Sequence, residues 1–135
     1  MDMQEINARV IEQFRSGADI DGMHRDRLLL LTTTGAKTGQ RRTTPVMFQA
    51  DGERLLVIAS NAGAPRNPDW YRNLVVSPTV TVEVGGEQFD AIAAPTVGAD
   101  RERVWAMLKE NYPFFADHEA LAGREIPVVA LSRLR

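Results

Sequence analysis

Apolar positions follow two rhythms along this chain. From residue 4 to 16 they recur at helical spacing: Ile6, Val10, Ile11 and Phe14 share one face, with Glu5, Arg9, Glu12 and Arg15 elsewhere. From Leu28 onward the rhythm is that of strands. Leu28 to Thr34 begins with four leucines, the pattern of a strand buried on both faces. Thr43 to Ala50 is a second strand, Asp51-Gly52 a hairpin turn, and Arg54 to Ser60 a third strand, so the three form an antiparallel meander. Asn61 to Pro68 is dense in turn residues. It ends in a helix start, with Asn67 as N-cap, Pro68 at the first helical position and Asp69 in the first turn. That helix carries Trp70, Tyr71, Leu74 and Val75 and stops near Ser77-Pro78. Thr79 to Val84 alternates as a strand, Gly85-Gly86 turns, and Glu87 to Val97 is its longer partner. A helix over Asp100 to Asn111 places Val104, Trp105 and Leu108 inward. A shorter helix follows within 112–123, and Ile126 to Ser132 is the closing strand.

About six strands in hairpin order, with helices at the start, middle and near the end, predict an α+β fold built on a small, mostly antiparallel barrel. Residues 1–16 form an N-terminal amphipathic helix and 17–135 a single barrel domain. The 135 residues can bury a sizeable core without disulfides or metals, and no cysteine is present. With 16 basic and 18 acidic residues the net charge is −2, which argues against a general nucleic-acid binder. The longest apolar run, Leu28 to Leu31, is far too short to span a bilayer, and the N-terminus has no signal-peptide core, so a cytoplasmic protein is expected. The first helix packs on the domain; its mixed charges suit at most a weak contact with a membrane surface. Asp19 and Asp21 lack a third ligand at metal spacing, and His24 reads as a loop histidine.

Three stretches can carry chemistry. The turn Gly35-Ala36-Lys37-Thr38-Gly39 is not a nucleotide-binding P-loop: three residues, not four, separate its glycines, and a strand follows. Lys37 and Arg42 can still hold an anion, with backbone N–H groups of the turn nearby; the alternative is a solvated hairpin. The segment Ala59 to Trp70 leaves a buried strand and can offer amides to a flat ring, while Trp70 and Tyr71 also suit a core. Tyr112-Pro113-Phe114-Phe115 lies between two helical stretches and either packs or lines a pocket; His118 would sit at its rim. No nucleophile elbow, zinc motif or dinucleotide fingerprint occurs, so an organic cofactor would supply the reactivity of any enzyme here.

Taken in order, LLLLTTTGAKTGQRRTTPV, ASNAGAPRNPDWYRNL, TVEVGG, ENYPFF and IPVVAL resemble the deazaflavin-dependent nitroreductase family, split β-barrel oxidoreductases that use coenzyme F420. The resemblance runs from about Asn7 to Leu131. It implies a cofactor tail held by Lys37 and Arg42, with contacts from Thr38, Gly39 and Gln40. It places Thr44, Pro45 and Val46 beside the ring, Ala59, Ser60 and Asn61 along it, and Asn67, Pro68 and Trp70 at its border. Tyr112 corresponds to a pocket tyrosine, and Tyr112, Ser60 or water would supply a proton. Met47, Phe115 and His118 stand where the nitroreductase has tyrosines. A pocket with fewer phenols suits quinones or unsaturated lactones and ketones better than nitroimidazoles. The implied activity is hydride transfer from reduced F420 to such a small-molecule acceptor. The alternatives are an FMN-binding split-barrel reductase and a non-catalytic carrier of a deazaflavin, haem-like or lipid ligand.

Overall fold

The structure, a computed structural model, describes residues 3–17 and 27–134. Asp19, Asp21 and His24 lie outside the described residues. Helix α1 (Met3–Ser16) precedes strands β1 (Leu28–Thr34), β2 (Arg41–Asp51) and β3 (Arg54–Ile58). A single 3-10 turn (Asn61–Gly63) and helix α2 (Asp69–Val76) lead to β4 (Thr79–Val84) and β5 (Glu87–Pro95). Helices α3 (Gly98–Asn111) and α4 (Phe114–Ala122) then precede β6 (Val128–Arg133). The six strands close into an antiparallel barrel in the order β1-β2-β3-β6-β5-β4.

Side-chain alternation sorts the apolar residues into two layers. Leu29 and Leu31 of β1 point into the barrel with Val57, Val80, Val82, Ala91 and Val129, and Trp70 and Leu74 of α2 join them. Leu56, Ile58, Val128 and Ala130 face the other way, under Val104, Trp105 and Leu108 of α3 and Phe115 of α4. Strands β3 and β6 are thus covered on both sides, which is why LLVI and VVAL lack polar interruptions. Helix α1 lays Val10 on Leu28, with Phe14 alongside. The Trp105 indole donates to Glu119 across 2.7 Å and ties α3 to α4.

One feature of the pairing opens the barrel wall. Residues Arg41 to Met47 of β2 pair with β1, whereas β3 pairs only with Phe48 to Asp51. The first half of β2 therefore has an edge that β3 does not cover. Pro45, which has no N–H to give a ladder, sits in this stretch, where a strand tolerates proline.

The predicted elements are all present, with shifted ends. Strand β2 starts at Arg41 and not at Thr43, β3 ends at Ile58 and not at Ser60, and β5 ends at Pro95 and not at Val97. Ile126 is buried but precedes its strand. At α2, Pro68 is the extended cap residue (ψ 156°), without a side-chain cap bond, and the helix starts at Asp69. Asn67 does not cap it, because its side-chain oxygen accepts from Arg124.

Helix α3 is pinned to the β2–β3 hairpin by four charges. Arg54 donates to Asp51 at 2.9 Å and to Asp100 at 2.6 and 3.0 Å, and Arg103 reaches Asp51 at 2.8 Å. Hydrogen bonds from Arg103, then Arg54, hold the Asp51 carboxyl below its ordinary range, and Arg54 does the same for Asp100. A carboxyl depressed in the fold stabilises it above the unfolded-state value, and that contribution is lost as pH falls through the folded one. Asp51→Asn should lower stability near neutrality and flatten its decline below about pH 4, measured as the urea midpoint against pH. An acid limb as steep as that of the wild type would deny the network this role.

Candidate active site

The uncovered edge of β2 forms one wall of a groove of about 680 Å³. Thr44, Pro45, Val46 and Met47 line that wall, and Ile58 lies at the end of β3. The chain leaving β3 supplies the floor with Ser60, Asn61 and Ala62, and continues through Asn67, Pro68 and Trp70. Helix α4 closes the far side with Phe114, Phe115 and His118, and Asn7 reaches in from α1. Trp70 does two jobs: it is only 7% exposed, belongs to the barrel core, and still borders the groove.

The floor is a strained turn. Asn61, Ala62 and Gly63 are consecutive left-handed residues, with φ of 49°, 55° and 84°. For the two that are not glycine this conformation is unfavourable and persists only where the surroundings enforce it. At Gly63 an added Cβ would also lie 2.9 Å from the tip of the Leu121 side chain, which would have to shift. Within the turn, the Gly63 N–H donates to the Ser60 carbonyl at 2.9 Å and the Ala64 N–H to that of Asn61 at 3.0 Å. From outside, Arg124 gathers it in. Its guanidinium donates to the carbonyl oxygens of Ala59 (3.2 Å), Ser60 (3.3 Å), Ala64 (3.2 Å) and Arg66 (3.1 Å) and to the Asn67 side chain. These acceptors are neutral dipoles, with no carboxylate among them. Sequence reasoning passed Arg124 over; its one local mark is its place just after Gly123, the left-handed C-cap of α4 (φ 64°).

A second, smaller recess of about 400 Å³ lies beside the basic turn. Lys37, Thr38 and Arg42 line it, facing Arg72 and Asn73 of α2. Asp69 borders both openings, so they adjoin at the start of α2, where Asp69 is ion-paired to Arg72. The turn's own amides are mostly spent. Gly35 N–H donates to the Gln40 carbonyl at 2.7 Å, Gly39 N–H to that of Gly35 at 2.9 Å, and Gln40 N–H to the Thr38 hydroxyl oxygen at 3.2 Å. The Ala36 N–H goes to the Asn73 side chain at 3.0 Å, and the same Asn73 donates to Thr33 at 3.2 Å, stapling α2 to the turn. Gly35 has to be glycine, because a Cβ there would sit 2.7 Å from the Thr38 hydroxyl oxygen. Arg41 is occupied too, donating to Thr34 at 2.8 Å and Thr81 at 2.7 Å. Anion binding in this recess therefore falls to the side chains of Lys37, Arg42 and Thr38, more than to a cradle of backbone N–H groups.

The structure does not bring every expected residue to these openings. Gly39 and Gln40 border neither, and their amides close the turn. Ala59 is fully buried in the barrel core; its N–H bonds the Pro127 carbonyl, and its own carbonyl bonds Arg124. Tyr112 packs in the outer layer, edge-on to Phe115 (centroids 5.9 Å apart, 74°). Its open side meets a different recess, beside Gln49, Asn111 and Arg27. It meets the groove at second hand, through Phe114 and Phe115, because the chain turns directly out of α3 at this residue. Phe114, part of the aromatic stretch read as core or pocket lining, borders the groove, while Asn7, Arg72, Asn73 and Arg124 are additions that local pattern did not single out.

A closed antiparallel barrel with one strand edge left uncovered, a groove along that edge and a basic recess that shares a residue with it define a split-barrel protein. The comparisons narrow this. A model of the F420H(2)-dependent quinone reductase family matches residues 5–133. An F420H(2)-dependent quinone reductase of Mycobacterium tuberculosis is 42% identical over 108 residues, covering 78% of this chain and 72% of that protein. The solved structure of an F420-H2 dependent reductase superposes with a TM-score of 0.72 at 35% identity, covering 82% of this chain and all of that one. At 20% identity, the haem storage protein HutZ of Vibrio cholerae (TM-score 0.61, 93% and 88% covered) shares the fold alone. The chain belongs to the F420H(2)-dependent quinone reductase family, and its cofactor is coenzyme F420. The donor set fits such a cofactor: apolar walls for a ring, and Lys37 and Arg42 beside an already neutralised Asp69 for a polyanionic tail.

Replacing Arg124 should disturb the floor before the fold. Arg124→Met is expected to lower stability by about 2 kcal/mol, since several carbonyls lose a charged donor. It should also weaken ligand binding in the groove, and Arg124→Lys should recover little, its ammonium being too compact to span five acceptors. Thermal melts and cofactor titration of both variants check this; full recovery by lysine would mean that charge alone matters.

Proposed function

We propose that the groove and the basic recess together hold one molecule of coenzyme F420, and that a quinone or similar electron-poor acceptor reduced by it lies against α4. The observation that carries this reading is that Asp69 borders both openings, with its carboxylate already paired to Arg72. When bound, the reduced coenzyme supplies a hydride.

The chain's own residues bind and orient. Lys37, Arg42 and the Thr38 hydroxyl take the anionic tail by charge-assisted bonds. Thr44, Pro45 and Val46 on one side, and Asn67, Pro68 and Trp70 on the other, hold a planar group between them. Ser60 and Asn61 offer polar atoms at the floor, with Ser60 in reach as a proton relay. Met47, Phe114 and Phe115 give the acceptor an apolar face and keep water from it. Holding two flat partners in register is worth a large share of such a reaction's barrier. No helix among the described residues is long and apolar enough to cross a membrane. A weak surface contact through α1 would fall to Ile6 and Ile11, because Val10 and Phe14 face Leu28.

Titration with coenzyme F420 and with FMN, followed by cofactor fluorescence, tests the reading; a preference for FMN would move the site to flavins. In the double variant Lys37→Ala/Arg42→Ala, affinity for the coenzyme should fall roughly 10- to 100-fold, each tenfold being about 1.4 kcal/mol. The fall should shrink at high salt, with the melting temperature unchanged. Unaltered affinity would remove the tail assignment.

A further inference from the structure

His118 is one of two histidines in the chain and stands on the groove side of α4. Its ring packs beside Phe114 (centroids 5.3 Å apart) and edge-on to Phe115 (6.0 Å, 76°). The two ring nitrogens have unlike surroundings. Nδ1 is buried and has no hydrogen-bond partner among the described residues. Nε2 is not among the buried, unpartnered atoms, and His118 lines the groove.

A neutral imidazole has one N–H and one lone pair. A proton on Nδ1 would be a buried donor with nothing to receive it, and orphaned donors are the rarer and costlier kind. The proton therefore sits on Nε2, and the ring offers the groove an N–H. Handing the Nε2 proton to a substrate while the ring stays neutral would put a proton on Nδ1, where no acceptor waits among the described residues. A donor held in one orientation by the Phe114 and Phe115 rings is preorganised for an oxygen that gains charge.

We propose that His118 is the electrophile of this site: a neutral imidazole whose Nε2–H donates a hydrogen bond to the carbonyl oxygen of a quinone or enone as that oxygen gains charge. The inference rests on reading the groove as the coenzyme and acceptor site. The acceptor gains a hydride from the reduced coenzyme, which is oxidised, and one proton from water; the histidine gains and loses none.

Two measurements test this. In protein labelled with ¹⁵N-histidine, the two ring nitrogens report the tautomer directly, with His118→Gln used to assign the signals. The Nε2–H form of the neutral ring is expected, and the Nδ1–H form would overturn the proposal. In turnover with reduced F420 and a soluble naphthoquinone, His118→Leu should lower kcat on the order of 100-fold. Coenzyme affinity by fluorescence should stay at the wild-type value. His118→Gln, whose amide lies at about the reach of Nε2, should recover most of the rate, and His118→Asn should not. A Leu variant as fast as the wild type would sink the role of His118 while leaving the site reading intact. A wild-type protein that binds the coenzyme but reduces no quinone or enone would remove both.

Discussion

Strand β2 is longer than either neighbour can pair with, and the site exists because of that mismatch. Its first half belongs to β1 and its second half to β3, so the wall between β2 and β3 closes only below Phe48. A fully paired barrel of this size would be filled by its own side chains. Here the uncovered edge from Thr44 to Met47, together with the chain diverging from it at Ile58, makes an elongated opening against an otherwise solid core. The interior leucines and valines keep the two edges at a fixed separation. The groove is therefore a property of the barrel and not of a loop that must fold over a ligand.

What the barrel leaves open, a single guanidinium shapes. The chain leaving β3 has to reverse within three left-handed residues, and Arg124 holds the carbonyls on both sides of that reversal. Leu121 presses on Gly63 from the same helix that carries His118. Floor and far wall are thus packed against each other. The basic recess is organised in a parallel way: Asn73 bridges the Gly35–Gln40 turn to β1, so α2 sets the distance between Lys37 and the groove.

Much of this was legible in the chain. The continuous apolar run of β1, the alternation of β4 and the Asp51-Gly52 and Gly85-Gly86 turns give the meander and hairpin order. The basic turn and the Ser60–Trp70 segment were visible as residue types suited to an anion and a flat ring. The missing part is long-range. Arg124 binds backbone carbonyls about sixty positions away, and carbonyls have no sequence signature. Whether amides of Gly39 and Gln40 are available depends on a turn closure that composition does not encode. Tyr112 follows the end of α3, and which layer its ring joins is decided by the helix-to-helix turn, not by its neighbours in sequence. Asn7 reaches the groove only because Val10 seats α1 on Leu28.

Arg124 is held entirely by uncharged oxygens, while the start of α3 is held by carboxylates. The two fastenings answer to different solvents. Acid discharges Asp51 and Asp100 and loosens the start of α3 from the hairpin, yet leaves Arg124 all of its carbonyl acceptors. The outer layer thus carries one fastening that acid releases and one that it does not, and the turn under the groove hangs on the second.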